Sequence, residues 1–189
     1  MPSPIAHTAI GYVIFRLYQR GFSRKGQRWI KSVSLPLVVI ISLSILPDFD
    51  SVAGFLMGDL GQYHNNWTHS LIVGLGVALV IGSLVWLVRH SGFSRWFLLA
   101  LLCYELHIIM DYFTVGRGVK AFWPVSLERF VSPVPVFYGL HWSDGWLSIR
   151  HLLTLVTEVG FVTLVGIVVY LHRNRKGRSP VRSLGEINR

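Results

Sequence analysis

Residues Ser70–Val88 read SLIVGLGVALVIGSLVWLV, an apolar run of 19 residues without one charged side chain. A helix that crosses a membrane needs about 20 predominantly apolar residues, so this run predicts a transmembrane helix. The rest of the chain agrees with that prediction. Of its 189 residues, 52% are hydrophobic and only 14% are charged, and the mean hydropathy is +0.50. Soluble domains carry about 25% charged residues, so the composition indicates an integral membrane protein with one compact domain.

Four further apolar segments predict an all-α, polytopic bundle of about five transmembrane helices. Besides Ser70–Val88, the helices are expected at about Ser3–Leu17, Ile30–Leu46, Trp96–Tyr112 and His151–Leu171. The first two are short for a span, and Pro36 is expected to kink the second. Residues 1–172 form the predicted membrane domain, and residues 173–189 form a basic cytoplasmic tail that is expected to be disordered.

Lys and Arg are distributed unevenly between the predicted loops. Residues 16–31 hold six and residues 173–189 hold six, whereas residues 47–69 hold none. Cytoplasmic loops of membrane proteins carry the excess of basic residues, so the N-terminus is predicted outside and the C-terminus in the cytoplasm. The net charge of +9 is interpreted as basic residues that contact anionic lipid. No direct nucleic-acid binding is expected, because no DNA-reading motif is present.

Seven histidine and aspartate side chains lie at ends of the predicted helices, and the predicted topology puts all of them on the outer side. They are His7, Asp48, Asp50, His64, His69, His107 and Asp111. His107 and Asp111 are one helical turn apart, so both can reach one ion. Imidazole and carboxylate without thiolate favour zinc, manganese or iron over calcium or magnesium. The sequence therefore predicts a site for one or two divalent ions, with zinc preferred and manganese as the alternative.

Two interpretations explain why there are more potential ligands than one catalytic zinc takes. A two-metal site would use them all, or one metal would be held while the other groups orient ligands and act as general base. Asp48 and Asp50 are assigned to catalysis, and Asp50 is the preferred base or bridging ligand. Arg117, Lys120 and Arg129 are either ordinary loop charges or an anion clamp that binds a phosphoester substrate.

The ordered set of motifs resembles the YdjM-like family of inner-membrane proteins, which are described as metal-dependent hydrolases and as LexA-binding. The resemblance covers about Met1–Pro135 and rests on His7, Leu46–Asp50, His64–Ser70, His107–Asp111, Thr114, Phe122–Pro124 and Arg129–Phe130. It implies a phospholipase-like activity in a bacterial inner membrane, and a LexA association through a cytoplasmic surface. Ser51 stands where the family often has a histidine, which argues against a second complete metal centre. Asn65 stands where the family often has an arginine.

The sequence as a whole predicts a membrane-bound, metal-dependent hydrolase that acts on a lipid-linked or membrane-proximal ester, with a phosphoester favoured. Its expected partners are membrane lipid and that substrate. A divalent metal transporter is the first alternative, disfavoured because transporters place ionisable groups near the bilayer midplane. A non-enzymatic membrane regulator or scaffold that acts through the basic tail is the second.

Overall fold

A computed structural model describes residues 2–22, 34–58, 63–140 and 148–177. Within these ranges the regular structure is helical: α1 (Pro4–Phe22), α2 (Ser34–Ile45), α3 (Asp50–Leu56), α4 (Leu71–Arg89), α5 (Phe93–Tyr112) and α6 (Arg150–Gly177). Two short 3₁₀ turns, Leu46–Phe49 and Trp67–His69, complete it. No strand is present in the described ranges, only two isolated bridges in the α5–α6 connection. The predicted all-α membrane bundle is confirmed.

Four segments of the described chain are long and apolar enough to cross a membrane. They are Pro36–Leu56, Leu71–Arg89, Phe93–Tyr112 and Arg150–Leu171. The first combines α2, a 3₁₀ turn and α3, so neither of its two helices is a full span alone. Helix α1 is a fifth long helix that packs against α2, α5 and α6, but it is not among the four apolar segments. Its second half contains Arg16 and Arg20, which lower its hydropathy.

The structure describes the predicted second helix and the predicted tail only in part. Helix α2 is described from Ser34, which is the first residue after a range that the structure does not describe. The predicted kink at Pro36 therefore stays a prediction. Residues 30–33 lie outside the described residues. At the other end of the chain, α6 continues to Gly177, so residues 173–177 of the predicted tail are helical and residues 178–189 lie outside the description.

Close helix packing brings the ligand-bearing ends together. Along α4, Gly74, Ala78 and Gly82 are buried against α5. A Cβ atom on Gly74 would lie 2.7 Å from the Tyr104 ring, so only glycine permits this approach. The side chain of Ser70 caps α4 by accepting a hydrogen bond from the backbone N–H of Ile72. The α5–α6 connection then returns over the ends of α4 and α5.

Candidate metal centre

The seven predicted histidines and aspartates form one connected cluster where five elements meet. Helix α1 contributes His7, the first 3₁₀ turn contributes Asp48, and α3 begins at Asp50. The segment around the second 3₁₀ turn supplies two histidines, and the last turns of α5 supply His107 and Asp111. Six of the seven residues are buried, and only 12% of the Asp48 side chain is exposed. The structure thus brings together every residue that the sequence predicts as a metal ligand.

Four of these residues surround one point at the spacing of metal ligands. Nε2 of His69 lies 3.0 Å from Asp111 Oδ2, 3.6 Å from Asp48 Oδ1 and 3.2 Å from His107 Nε2. Nε2 of His107 lies 3.4 Å from Asp48 Oδ1 and 3.7 Å from Asp111 Oδ2. Zinc binds nitrogen and oxygen at about 2.0–2.2 Å, so two tetrahedral ligands lie about 3.4 Å apart. The observed spacings match four ligands around one small ion.

The hydrogen bonds of the two imidazoles leave their Nε2 atoms as acceptors. Nδ1 of His107 lies 2.8 Å from the carbonyl oxygen of Ser44, which only accepts, so this nitrogen carries the proton. Nδ1 of His69 lies 3.2 Å from the Asp50 carboxylate, which favours the same tautomer. Two lone pairs then face each other across 3.2 Å. Such an arrangement is repulsive unless a cation or a proton lies between them.

Two of the three carboxylates in the cluster, those of Asp48 and Asp111, also lack hydrogen bonds to other described residues. Within the described part of the chain, none of the four carboxylate oxygens of Asp48 and Asp111 has a hydrogen-bond partner. A buried polar atom left unsatisfied costs about 1–3 kcal/mol, and a charged one costs more. Burial acts to lower the pKa of His69, but the carboxylates of Asp111, Asp48 and Asp50 outweigh it and raise that pKa well above its ordinary value. The surroundings of His69 therefore favour positive charge, as a cation would supply.

On the other side of His69, a second group consists of Asp50, His64 and His69. Here the polar atoms bind each other. Asp50 Oδ1 lies 2.9 Å from His64 Nδ1, and Asp50 Oδ2 accepts a 2.7 Å hydrogen bond from the Thr68 hydroxyl. Ser51 Oγ also lies 2.8 Å from His64 Nδ1. Nε2 of His64 is buried and has no partner among the described residues.

We call Asp48 Oδ1, His69 Nε2, His107 Nε2 and Asp111 Oδ2 the four-atom group. His7 lies beside this group without belonging to it. Its Nε2 is 3.6 Å from Asp111 Oδ1, and its ring stacks on His107 with centroids 3.7 Å apart. Neither of its ring nitrogens has a hydrogen-bond partner in the described ranges. Contacts at the start of α1 hold this helix in place, since the backbone N–H and the hydroxyl of Ser3 both donate to the Glu158 carboxylate of α6. His7 is therefore positioned to approach an ion bound by Asp111.

The predicted anion-binding residues lie on the α5–α6 connection next to the cluster. Arg117 donates to the carbonyl oxygen of His64, and Nη1 of Arg129 donates to that of Asn65 at 2.9 Å. Asn65 has a positive φ of 55°, a conformation that asparagine tolerates well. Burial and the charge of Arg117 lower the pKa of Arg129. The two arginines thus hold the loop that carries His64, while Lys120 is half-buried on the same connection.

Supporting groups around the cluster were not predicted from the sequence. The Tyr104 hydroxyl donates a 2.6 Å hydrogen bond to the carbonyl oxygen of Thr68, which fixes the turn before His69. Its position three residues before His107, on the same helix face, was an available signal. Thr68 precedes His69 directly, and its hydroxyl binds Asp50. Ser44 contributes a backbone carbonyl, for which a sequence carries no signal.

Comparison with known proteins identifies the family of the chain. No curated protein and no solved structure matches the chain. A family model described as YdjM inner membrane protein matches residues 1–178, a range that includes every residue of the cluster and all six helices. Since the match extends over nearly the whole sequence, the chain belongs to the YdjM family of inner membrane proteins.

Proposed function

We propose that this protein is a membrane-bound, metal-dependent hydrolase of a lipid-linked or membrane-proximal ester, with a phosphoester as the favoured substrate. The observation that carries the proposal is the four-atom group. Two buried carboxylates without hydrogen bonds and two facing imidazole nitrogens are arranged as ligands of one cation. Burial of polar groups without partners destabilises the folded protein, so a group of this kind is typical of a functional site.

The residues that would hold the ion are Asp48, His69, His107 and Asp111, with His7 as an additional ligand. Two imidazoles and two carboxylates favour zinc, and manganese is the second choice. When bound, such an ion supplies a Lewis acid that polarises an ester oxygen and makes water more acidic. The four-atom group by itself fits one ion. The hydrogen bonds within the second group support the one-ion form of the site.

In the second group, one residue would orient a metal ligand and another would accept a proton. Asp50 holds Nδ1 of His69, so that Nε2 is presented to the ion. Because both oxygens of Asp50 already take part in hydrogen bonds, we assign Asp50 this orienting role in place of general base. His64 is the better base, since its Nε2 has no partner in the described chain and Asp50 holds its other nitrogen.

Two observations support a phosphate ester at the membrane surface. Arg117 and Arg129 bring two guanidinium groups close to the loop of His64, and guanidinium pairs with phosphate oxygens well. The asymmetry of Lys and Arg between the loops supports a site on the outer face, with the C-terminus in the cytoplasm. Fluorescent or protease-accessible tags at each terminus in intact cells test this topology.

The function is tested with purified protein in lipid nanodiscs. Bound metal is measured by mass spectrometry, and hydrolysis is followed with bis-p-nitrophenyl phosphate and with phospholipid. We expect about one zinc per chain and hydrolysis that a chelator removes and zinc restores. Asp111→Ala should abolish both, whereas Glu105→Gln on the same helix should keep both. Metal-free wild type, or hydrolysis that survives Asp111→Ala, would refute the proposal.

One observation favours the transporter as a second candidate. Asp48 lies inside the apolar segment Pro36–Leu56, and His107 and Asp111 lie inside Phe93–Tyr112, so this part of the cluster is within segments able to span the membrane. Ionisable groups inside such segments are typical of ion pathways. Zinc uptake into proteoliposomes that depends on Asp111, without any hydrolysis, would establish this function instead.

A further inference from the structure

The connection between α5 and α6 carries a segment whose composition does not suit an aqueous loop. We name residues 122–136 the apolar loop. This stretch contains no helix or strand, yet six large apolar side chains are exposed on it: Phe122, Val125, Leu127, Val131, Val134 and Val136. Val125 is 83% exposed and Val134 is 70% exposed. Single exposed apolar residues are ordinary, but six within 15 residues form a patch of the kind that binds a partner.

Hydrogen bonds fix the height of the apolar loop relative to the membrane. The carbonyl oxygen of Trp123 accepts a 2.6 Å hydrogen bond from the Ser70 hydroxyl, directly before α4. The backbone N–H of Ser132 donates to the carbonyl oxygen of Tyr112, the last residue of α5. Both helices are among the segments able to cross a membrane, and these are their ends at the metal centre. The loop therefore lies where the spans leave the bilayer.

The remaining features of the loop suit the interfacial layer of the bilayer. Irregular backbone is not tolerated in the hydrocarbon core, so a loop with exposed apolar side chains can be immersed only to the headgroup boundary. The rings of Trp67 and Trp123 pair there at 6.2 Å, and tryptophan is enriched at this boundary. The connection carries three basic residues, Arg117, Lys120 and Arg129, against two acidic ones, Glu128 and Asp144, so its net charge is positive and complements anionic phospholipid.

We propose that the apolar loop inserts into the interfacial layer of the membrane and binds phospholipid beside the metal centre. Its side chains contact the upper parts of acyl chains, and the neighbouring basic residues contact phosphate groups. The same connection bonds to the loop of His64 through Arg117 and Arg129, so bound lipid adjoins the cluster. This lipid contact does not depend on hydrolysis, and it holds whether the protein is a hydrolase or a transporter.

Spin labels measure the immersion of the loop directly. Val125→Cys, Val134→Cys and Glu128→Cys are made singly in full-length Cys103→Ala protein and labelled with a nitroxide in vesicles of phosphatidylethanolamine and phosphatidylglycerol. Collisions with oxygen, which concentrates in lipid, are compared with collisions with a water-soluble nickel chelate. We expect a severalfold higher oxygen-to-nickel ratio at 125 and 134 than at 128. The label at 128 is the matched control, because Glu128 is an exposed charged residue of the same loop.

Two results would overturn the proposal. Equal ratios at all three positions, dominated by the nickel chelate, would place the loop in water. Low collision rates with both reagents at 125 and 134 would mean that protein covers the loop, as in a dimer. Neither result would affect the metal measurements, so failure of the lipid proposal is distinguishable from failure of the metal centre. Thermal unfolding of the labelled variants at the temperature of the unlabelled parent verifies that they fold.

Discussion

Asp111 and Asp50 are both buried aspartates that approach His69, one on each side of its ring, but their surroundings differ. Asp111 has no hydrogen-bond partner in the described chain, and Asp48 near it has none either. Asp50 is bound by His64 and by the Thr68 hydroxyl. We interpret the carboxylates without hydrogen bonds as candidate ligands of a cation, and the hydrogen-bonded Asp50 as a supporting group. The predictions that follow are ordered by their expected effect on bound metal.

Asp111→Ala should have the largest effect, because it removes one ligand of the four-atom group and the neighbour of His7. Zinc affinity is expected to fall more than about 100-fold, beyond the range for a group that only orients a ligand. Competition with a chromogenic chelator measures it. Glu105→Gln is the control, since Glu105 is on the same helix but contacts α4. A fall in zinc affinity of less than about 10-fold would contradict the assignment of Asp111 as a ligand and Asp50 as a supporting group.

Asp50→Asn should have an intermediate effect. The amide still contacts His69 but no longer stabilises its orientation by charge, so zinc affinity should fall about 10–100-fold while stoichiometry stays at one per chain. Titration with zinc, followed by metal analysis, measures both quantities. A fall from two ions to one would instead identify the Asp50 group as a second metal site.

His64→Gln should change zinc affinity less than Asp50→Asn, because His64 does not contact the four-atom group as a ligand. Hydrolysis is expected to fall by about 10²–10⁴-fold through loss of a proton acceptor. The comparison of bound zinc with initial rates separates the two effects. Ser51→Ala is the matched control, since it removes a hydroxyl next to the same ring nitrogen. Loss of metal in His64→Gln would contradict the assignment.

Glu158→Leu should affect metal least and stability most. It leaves the N–H and hydroxyl of Ser3 without their buried acceptor, at a cost of about 1–3 kcal/mol in the free energy of unfolding. Zinc affinity should change only by the amount that His7 contributes to metal binding, because Glu158 holds the start of the helix that carries His7. Thermal unfolding and chelator competition measure the two quantities. In a His7→Ala background, Glu158→Leu should have no further effect on zinc; a further loss would show that α6 supports the centre by another route.

Much of the fold was predictable because its signals are local. Apolar runs of about 20 residues identify spans wherever they occur, and the predicted fourth helix ends at Tyr112 as the structure has it. The spacing of His107 and Asp111 placed them on one helix face. The kink at Pro36 stays a prediction, because a proline near a helix start and one inside a helix look alike until the N-terminal boundary is known.

The sequence by itself determined that this chain is a helical membrane protein and which side chains could bind metal, because hydropathy and residue chemistry are properties of short segments. Only the tertiary structure decided that Asp48, His69, His107 and Asp111 form one group of possible ligands, while Asp50, His64 and His69 form another. That division depends on ring orientation and on contacts between residues far apart in the chain, such as His107 with Ser44. The histidines and aspartates of the two groups cannot be told apart in the sequence. Their partners are known only once the backbone is folded.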